Sequence, residues 1–430
     1  MKLLIFLYSL GFRLTLPFVL ARLYWRGRRE PLYRRRISER LGLIQIPQEK
    51  KTIWLHAVSM GEVKAAIPLV RNLLQQYPQW QMMITTTTAT GSQTVQQELG
   101  KDVLHYYLPF DYRAAIKRFV EKAKPALVII METEIWPNLI NYCHKKQIPL
   151  LLANARLSAK SAKGYRKIRW LMQKLLNSYH FILAQTQADA NRFIQIGAKP
   201  DKVKVSGNVK FDITLDNAFM QKTQSLKQEI FHPAKQARKI LLLASTHDNE
   251  ETMLLQALMQ HPRLMQDFLI ILVPRHPSRF NQVRQWCQTH KLMVMQRSLK
   301  QQITPSTQVY LLDSVGELVL FYGMVDIAFV GGSLVPIGGH NVLEAAAWGL
   351  PTIVGPYTHN FAKIVKVMSQ QKALLQVADV AEFIQHLQNF NQHPQIYAEQ
   401  GERGKRFLQA NRGALAKHLA VIEECLAVTT

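Results

Sequence analysis

Cysteine and acidic residues are scarce in this chain. Only three cysteines occur in 430 residues, Cys143, Cys287 and Cys425, and they stand far apart without metal-ligand spacing. An odd number at such distances argues against a disulfide framework and reads as reduced thiols of a cytoplasmic protein. Asp and Glu number 29 against 54 Lys and Arg, a net charge of +25. That imbalance directs a protein toward anionic surfaces or acidic substrates, whether nucleic acid, lipid headgroups or phosphorylated sugars. Much of the excess is solvated Lys and Arg, so charge alone specifies no ligand. Internal repeats, low-complexity tracts and heptad arrays are absent, as are a P-loop, zinc spacing, a G-x-S-x-G elbow and an Asp-x-Asp motif. No tightly bound metal is implied.

What is present is enough apolar residue, 48% of the chain, to bury two domains. Leu3 to Leu20 is mostly apolar but interrupted by Ser9, Gly11, Arg13 and Pro17, and is followed by Arg22, Arg26, Arg28, Arg29, Arg34, Arg35, Arg36 and Arg40. It is of marginal length for a span, and Arg13 is costly at mid-bilayer, so spanning and surface-lying anchors both fit. A helix buried against the globular domain is the structural alternative. With no small-residue cleavage site before the arginines, the segment does not read as a removable signal peptide. The arginines behind it keep the body of the protein cytoplasmic.

Beyond the anchor (1–25), short β-rich runs alternate with helical patterns. Thr52 to Val58, Gln81 to Thr87, Ala126 to Met131, Ile148 to Ala153, Phe181 to Ala184 and Lys202 to Ser206 predict one parallel, Rossmann-like domain over 26–212. Residues 213–237, polar and helical with Pro233 near the end, read as an inter-domain connection. Lys239 to Ala244, Phe268 to Val273, Leu292 to Met295, Gln308 to Leu312, Asp326 to Val330, Pro351 to Val354 and Ala373 to Val377 predict a second such domain over 238–430. The helical stretch from Pro394 to Val428 is expected to cross back to the first. Ligands of such a pair belong after the carboxyl ends of strands.

Several segments with chemistry stand there. Gly331-Gly332-Ser333 through Gly338-Gly339-His340-Asn341 follows a strand and opens a helix bearing Glu344. Glycine backbone and a helix N-terminus suit a phosphate, with Glu344 on an attached ribose; a tight turn before a core helix is the plain alternative. Glu62 opens another helix, where a carboxylate is either a cap or, if partly desolvated, a base. Glu132 and Glu134 follow Ala126 to Met131 beside Trp136, as a paired-acid site or as caps for the helix after Pro137. Lys210, in Gly207 to Asp212, is placed to neutralise an anion. Arg275, between Pro274 and Pro277 with His276, lies on a stiff turn suited to phosphate or carboxylate. Ser245-Thr246-His247 precedes an acidic helix start at Asp248 to Glu251, and Val315, Gly316 and Glu317 offer backbone groups to a base or cap a helix.

In order, HAVSMGE, METEIWPN, GNVKFD, VPRHP, VGEL and GGSLVPIGGHNVLEAAAWG resemble the motifs of the 3-deoxy-D-manno-octulosonic acid (Kdo) transferases of lipopolysaccharide synthesis. The resemblance runs over nearly the whole chain. It implies an α/β fold of GT-B type, two Rossmann-like domains facing a cleft, with an N-terminal membrane-anchoring helix at the cytoplasmic face of a bacterial inner membrane. It implies an inverting transfer of Kdo from CMP-Kdo to the phosphorylated lipid A precursor. By the same resemblance Glu62 is the general base, with Glu132 and Lys210 assisting. Pro274, Arg275, Val315, Gly316, Glu317, Asn341, Val342, Leu343 and Glu344 hold CMP. No cofactor and no nucleic acid partner are implied. The family commonly has Pro where this chain has Val342, a change expected to matter little because Pro there only pre-sets the helix start. Two rivals are a membrane-associated GT-B transferase using a UDP-sugar and a non-catalytic basic protein binding anionic membranes or nucleic acid.

Overall fold

A computed structural model describes residues 2–28, 34–46, 50–231 and 238–427, with all side chains in them except those of residues 2–7 and 26. Arg29, Pro233 and Val428 of the sequence reading lie outside the described residues. The chain divides into two compact units, Met1–Asp212 with Arg412–Thr430, and Ile213–Asn411.

The first unit is built on a parallel sheet of seven strands: β1 (Thr52–His56), β2 (Gln81–Thr86), β3 (Leu104–Tyr107), β4 (Pro125–Met131), β5 (Leu150–Ala155), β6 (Phe181–Ala184) and β7 (Val203–Val205), ordered β3-β2-β1-β4-β5-β6-β7. The runs of apolar residues in β1, β4 and β5 exist because helices cover both faces, leaving every residue of β1 and β5 buried. One side packs Leu55, Ile129 and Leu151 against the helix Met60–Gln76, and the other packs Trp54, Ile130 and Phe119. Trp54 and Phe119 meet at 4.9 Å between ring centres. Burial of each such side chain contributes about 1.5–3 kcal/mol.

The second unit repeats the plan with β8 (Lys239–Thr246), β9 (Phe268–Pro274), β10 (Val294–Gln296), β11 (Val309–Leu311), β12 (Ile327–Val330), β13 (Thr352–Val354) and β14 (Leu375–Gln376), ordered β10-β11-β9-β8-β12-β13-β14. Here too every pairing is parallel. In each sheet the strand order reverses beside the first strand, between β1 and β4 and between β8 and β12. Such a switch point leaves a crevice at the carboxyl ends of the strands where loops diverge.

Some expectations need correction. Strand β3 was not expected: it is an edge strand, only partly buried except at Tyr107, so it carries no apolar run. Strand β5 begins two residues later than predicted and reaches Ala155. Residues 213–237 are no bare connection, since the helix Asn217–Phe231 packs Leu226 and Ile230 into the core of the second unit. The C-terminal stretch is two helices, Pro394–Ala410 and Ala414–Ala427, broken at Gly413 with φ 98°. The second of them packs Val421, Ile422 and Cys425 into the core of the first unit.

Among the described residues no helix is long and apolar enough to cross a membrane, which corrects the spanning alternative for residues 3–20. The first helix, Lys2–Arg26, does form, but Arg13 and Pro17 sit within it. Ser9 Oγ donates to Asn138 Oδ1 at 2.8 Å and Phe12 packs on Phe110, so one side of the helix docks on the unit. Leu14, Phe18 and Trp25 remain exposed at 67%, 77% and 73%.

Candidate active site

At the switch point of the first unit the loops after β1 and β4 bring carboxylates together. Glu62, in the first turn of the helix Met60–Gln76, accepts the Val58 N–H at 2.8 Å and the Ser59 hydroxyl at 3.2 Å. The cap reading of Glu62 is therefore correct as far as it goes. Burial nevertheless raises its pKa, against the Val58 N–H and with help from the nearby Glu132 charge.

Glu132 does not cap the helix Pro137–Lys145. The amides of Asn138 and Leu139 are taken instead by the buried Asp111 carboxylate, each at 3.0 Å. Glu132 is buried and adopts φ 59°, a left-handed conformation that costs a non-glycine residue about 1–3 kcal/mol. Its N–H is held by the Ala153 carbonyl at 2.9 Å, and its carboxylate lies between Arg156 Nε at 2.7 Å and Lys210 Nζ at 3.4 Å. Backbone strain beside two cations, at a strand end, points to function rather than packing. Burial, then Glu62 and Glu132, push Glu134 up to about 7.

Lys210 is positioned by a fastening that the sequence did not announce. The Asn208 side chain caps the short turn Val209–Phe211, and Asn154 Oδ1 accepts the Val209 N–H at 3.2 Å. Asp212 accepts the N–H groups of Gly413 and Leu415 at 2.6 and 2.7 Å. His418 of the same C-terminal helix accepts the Asn154 N–H at 2.9 Å while its Nδ1 donates to Ala414 O at 2.7 Å, so the ring is neutral, as burial also requires. The C-terminal helix thus ties the Lys210 segment to the end of β5, next to Arg156.

In the second unit the glycine-rich loop does not offer the empty anion cradle that its sequence suggests. The buried Glu250 carboxylate already fills it: Oε2 accepts Gly332 N–H at 2.7 Å and His247 N–H at 3.2 Å, and Oε1 accepts Ser333 and Leu334 N–H at 3.1 and 2.9 Å. A Cβ on Gly331 would stand 2.7 Å from Glu250 Oε2, so glycine is needed there to admit an internal carboxylate. Gly338 and Gly339 donate to Gly332 O at 3.1 and 2.8 Å. The helix that follows, Leu343–Ala347, has only five residues, too few for a full macrodipole.

The remaining residues expected at the donor site fall in three segments. Val342 and Leu343 are buried, which leaves only their backbone for any contact. Asn341 Nδ2 donates to Glu344 Oε1 at 3.0 Å, while its Oδ1 accepts Leu343 N–H at 3.1 Å, which sets both side chains. Glu317 is engaged twice by Arg297, at 3.0 and 3.1 Å, and by Ser314, so its side chain is committed within the unit. Exposed Val315 and Gly316, the latter at φ 90°, leave backbone for contact. Pro274 ends β9 and Arg275 N–H is held by Thr246 O at 2.9 Å. Arg275 lies on the same crevice wall as His247 and His276, whose rings meet edge to face at 5.2 Å.

Sequence alone assigned no role to Arg156, Asp111, Glu250 or His340. Arg156 was findable, because it follows β5 as directly as Glu132 follows β4; Glu250 and His340 stand in segments singled out above, but nothing local says what they meet, and Asp111 carries no local signal.

A family model described as 3-Deoxy-D-manno-octulosonic-acid transferase (kdotransferase) matches residues 35–213. A 3-deoxy-D-manno-octulosonic acid transferase of Haemophilus influenzae is 39% identical over 405 residues, 93% of each chain. That of Bordetella pertussis is 33% identical, covering 87% of each. A glycosyltransferase structure from Rickettsia africae covers 88% of this chain and 99% of its own at 16% identity and a TM-score of 0.51, a likeness of fold alone. With its six motifs in order, its carboxylates and cations gathered at strand ends, and identity sustained over nearly its whole length, this chain belongs to the 3-deoxy-D-manno-octulosonic acid transferase family of glycosyltransferases.

Proposed function

We propose that the protein transfers Kdo from CMP-Kdo to the phosphorylated lipid A precursor, with inversion, in lipopolysaccharide synthesis at the cytoplasmic face of the inner membrane. The observation that carries the catalytic assignment is the group at the first switch point: Glu62 with a raised pKa, beside Glu132 held in strained backbone between Arg156 and Lys210.

In this reading the Glu62 carboxylate takes the proton of the acceptor hydroxyl as its oxygen attacks the anomeric carbon of Kdo. The bond from that carbon to the phosphate oxygen breaks on the opposite face and CMP departs with the electron pair. The Glu132–Lys210–Arg156 group supplies a fixed, preorganised field beside the base, and Arg275 meets the charge that develops on the leaving phosphate. These groups need no metal to balance that charge. In the second unit Pro274, Arg275, the backbone of Val315 to Glu317, and Asn341 to Glu344 bind CMP. The exposed Leu14, Phe18 and Trp25 lie on the bilayer surface, where +25 of net charge favours anionic lipid.

CMP is expected to raise the melting temperature and UDP to leave it unchanged; a shift with UDP alone would reject the donor and favour a UDP-sugar transferase. Turnover of CMP-Kdo with lipid A precursor tests the acceptor, and no product would return the protein to the non-catalytic reading.

The base assignment also has a pH consequence. Burial and the like charges of Glu62 and Glu132 hold Glu134 up to about 7, so it is neutral below that pH and adds a third carboxylate charge above it. Glu134→Gln removes the group that titrates there, so the inflection of kcat/KM near pH 7 is expected to disappear. A pH–rate profile superimposable on that of the parent enzyme would contradict the coupling.

A further inference from the structure

Three imidazoles converge where the strand order of the second unit reverses. A bulge at Ser245, with φ 54°, turns the end of β8 so that His247 enters the crevice between the loops after β9 and β12. His276 comes from the β9 loop and His340 from the β12 loop. His247 Nε2 and His340 Nε2 stand 2.8 Å apart, with the two ring planes within 5° of parallel and the ring centres 5.0 Å apart. Two ring nitrogens at that distance must share one hydrogen, one donating and one accepting. Both rings pack over Gly332, where a Cβ would lie 3.1 Å from His340 and 3.3 Å from His247.

This crevice is where a doubly wound sheet receives an anion. Yet Glu250 has consumed the backbone donors of Gly332, Ser333 and Leu334, so side chains must replace them. Charged groups face His247 from three loops. On its own loop, Asp248 and Glu251 are paired with Arg279 at 2.7 and 3.1 Å, and Glu250 is held by amides. From the β9 loop come Arg275, His276 and Arg279, and from the β12 loop His340. Beside this ring the Arg279 charge is met by two carboxylates, and Arg275 is a second cation.

We infer that His247 and His340 form a proton-sharing pair that takes up one proton from solvent when the phosphate of the donor nucleotide binds beside Arg275. The pair passes from a neutral imidazole–imidazole contact to an imidazole–imidazolium contact. The added proton goes to the outer Nδ1 of the ring that donates, so the bond between the two Nε2 atoms is kept and becomes charge-assisted. No electron moves and no covalent bond other than the new N–H forms. Without ligand, burial first and then His276, Arg275 and Arg279 hold His247 down to about 4, so His247 is neutral near pH 7. A dianion in the crevice adds negative charge beside the ring and favours its protonated form. His247 and His340 are positioning residues for the donor, acting through the anion subsite. The inference rests on CMP being the nucleotide bound.

The test is calorimetric titration of the full chain with CMP at pH 7.5 in buffers of different ionisation enthalpy, such as MOPS and Tris. Binding heats that depend on the buffer with the sign of proton uptake are expected, as is an affinity that weakens by up to about tenfold per pH unit above neutrality. His247→Asn and His340→Asn are expected to bind CMP more weakly with buffer-independent heats, while His276→Asn keeps the uptake. CMP bound by the parent protein with identical heats in all buffers would overturn the proton-sharing pair and leave the donor reading standing. Full uptake retained in both Asn variants would also overturn it, assigning the proton to the phosphate itself. Failure of CMP to bind while UDP binds would overturn the donor reading, and this inference with it.

Discussion

Glu62→Gln is expected to lower kcat by about 10²–10⁴ with little change in melting temperature, because general-base catalysis is worth that much and an amide cannot accept the acceptor's proton. The substitution suits the question because the amide oxygen can still accept the Val58 N–H that Glu62 now accepts at 2.8 Å. The helix start therefore keeps its cap, and the variant separates the two roles that the carboxylate combines. Turnover should be measured with CMP-Kdo and lipid A precursor alongside thermal unfolding. Activity within about threefold of the parent would remove Glu62 from the chemistry and leave it a cap. A large fall in melting temperature would show that the cap contact matters more to the fold than its geometry suggests.

Glu250→Ala is expected to have the largest effect on stability. The carboxylate satisfies the N–H groups of His247, Gly332, Ser333 and Leu334, all in or near the interior. Each buried donor left unpaired costs about 1–3 kcal/mol, although entering water will recover part of this. A net loss of about 3–5 kcal/mol is the expectation, enough to lower the melting temperature by roughly 10 °C in a unit of this size. Glu250→Gln should fare little better, because its amide group would set a donor against donors. Circular dichroism on heating checks the first point and CMP titration the second, since a loosened Gly331 to Leu334 segment no longer supports His340 and Asn341. Unchanged unfolding in Glu250→Ala would mean that the four amides find other partners, and that the loop does not depend on this carboxylate.

The two predictions follow from different degrees of legibility. The strand-end positions of Glu62, Glu132, Arg275 and Glu344 were readable because short apolar runs between helical patterns mark parallel strands, and the residue after each run falls at a sheet's carboxyl edge. The edge strand Leu104–Tyr107 escaped that logic because it is only partly buried. The glycine loop shows how a correct motif carries a wrong physical reading. Its glycines do let amides crowd round an anion, but the anion is Glu250, which stands 82 residues earlier in the chain than Gly332. A pattern of glycines records that something must approach closely and is silent about what approaches.

The alternation of strands and helices, the two parallel sheets, the family and the identity of the carboxylates could all be had from the order of residues, since each depends on local hydrophobic period or on a contiguous motif. Which charges meet could not. Glu132 finds Lys210 across 78 residues, and Asn154 finds His418 across 264. Such pairings depend on strand order, on where that order reverses, and on which helix returns to cover which sheet. Electrostatic interaction acts through space rather than along the chain, so the raised pKa of Glu62, the strain at Glu132 and the imidazole pair over Gly332 exist only once the sheets have been wound.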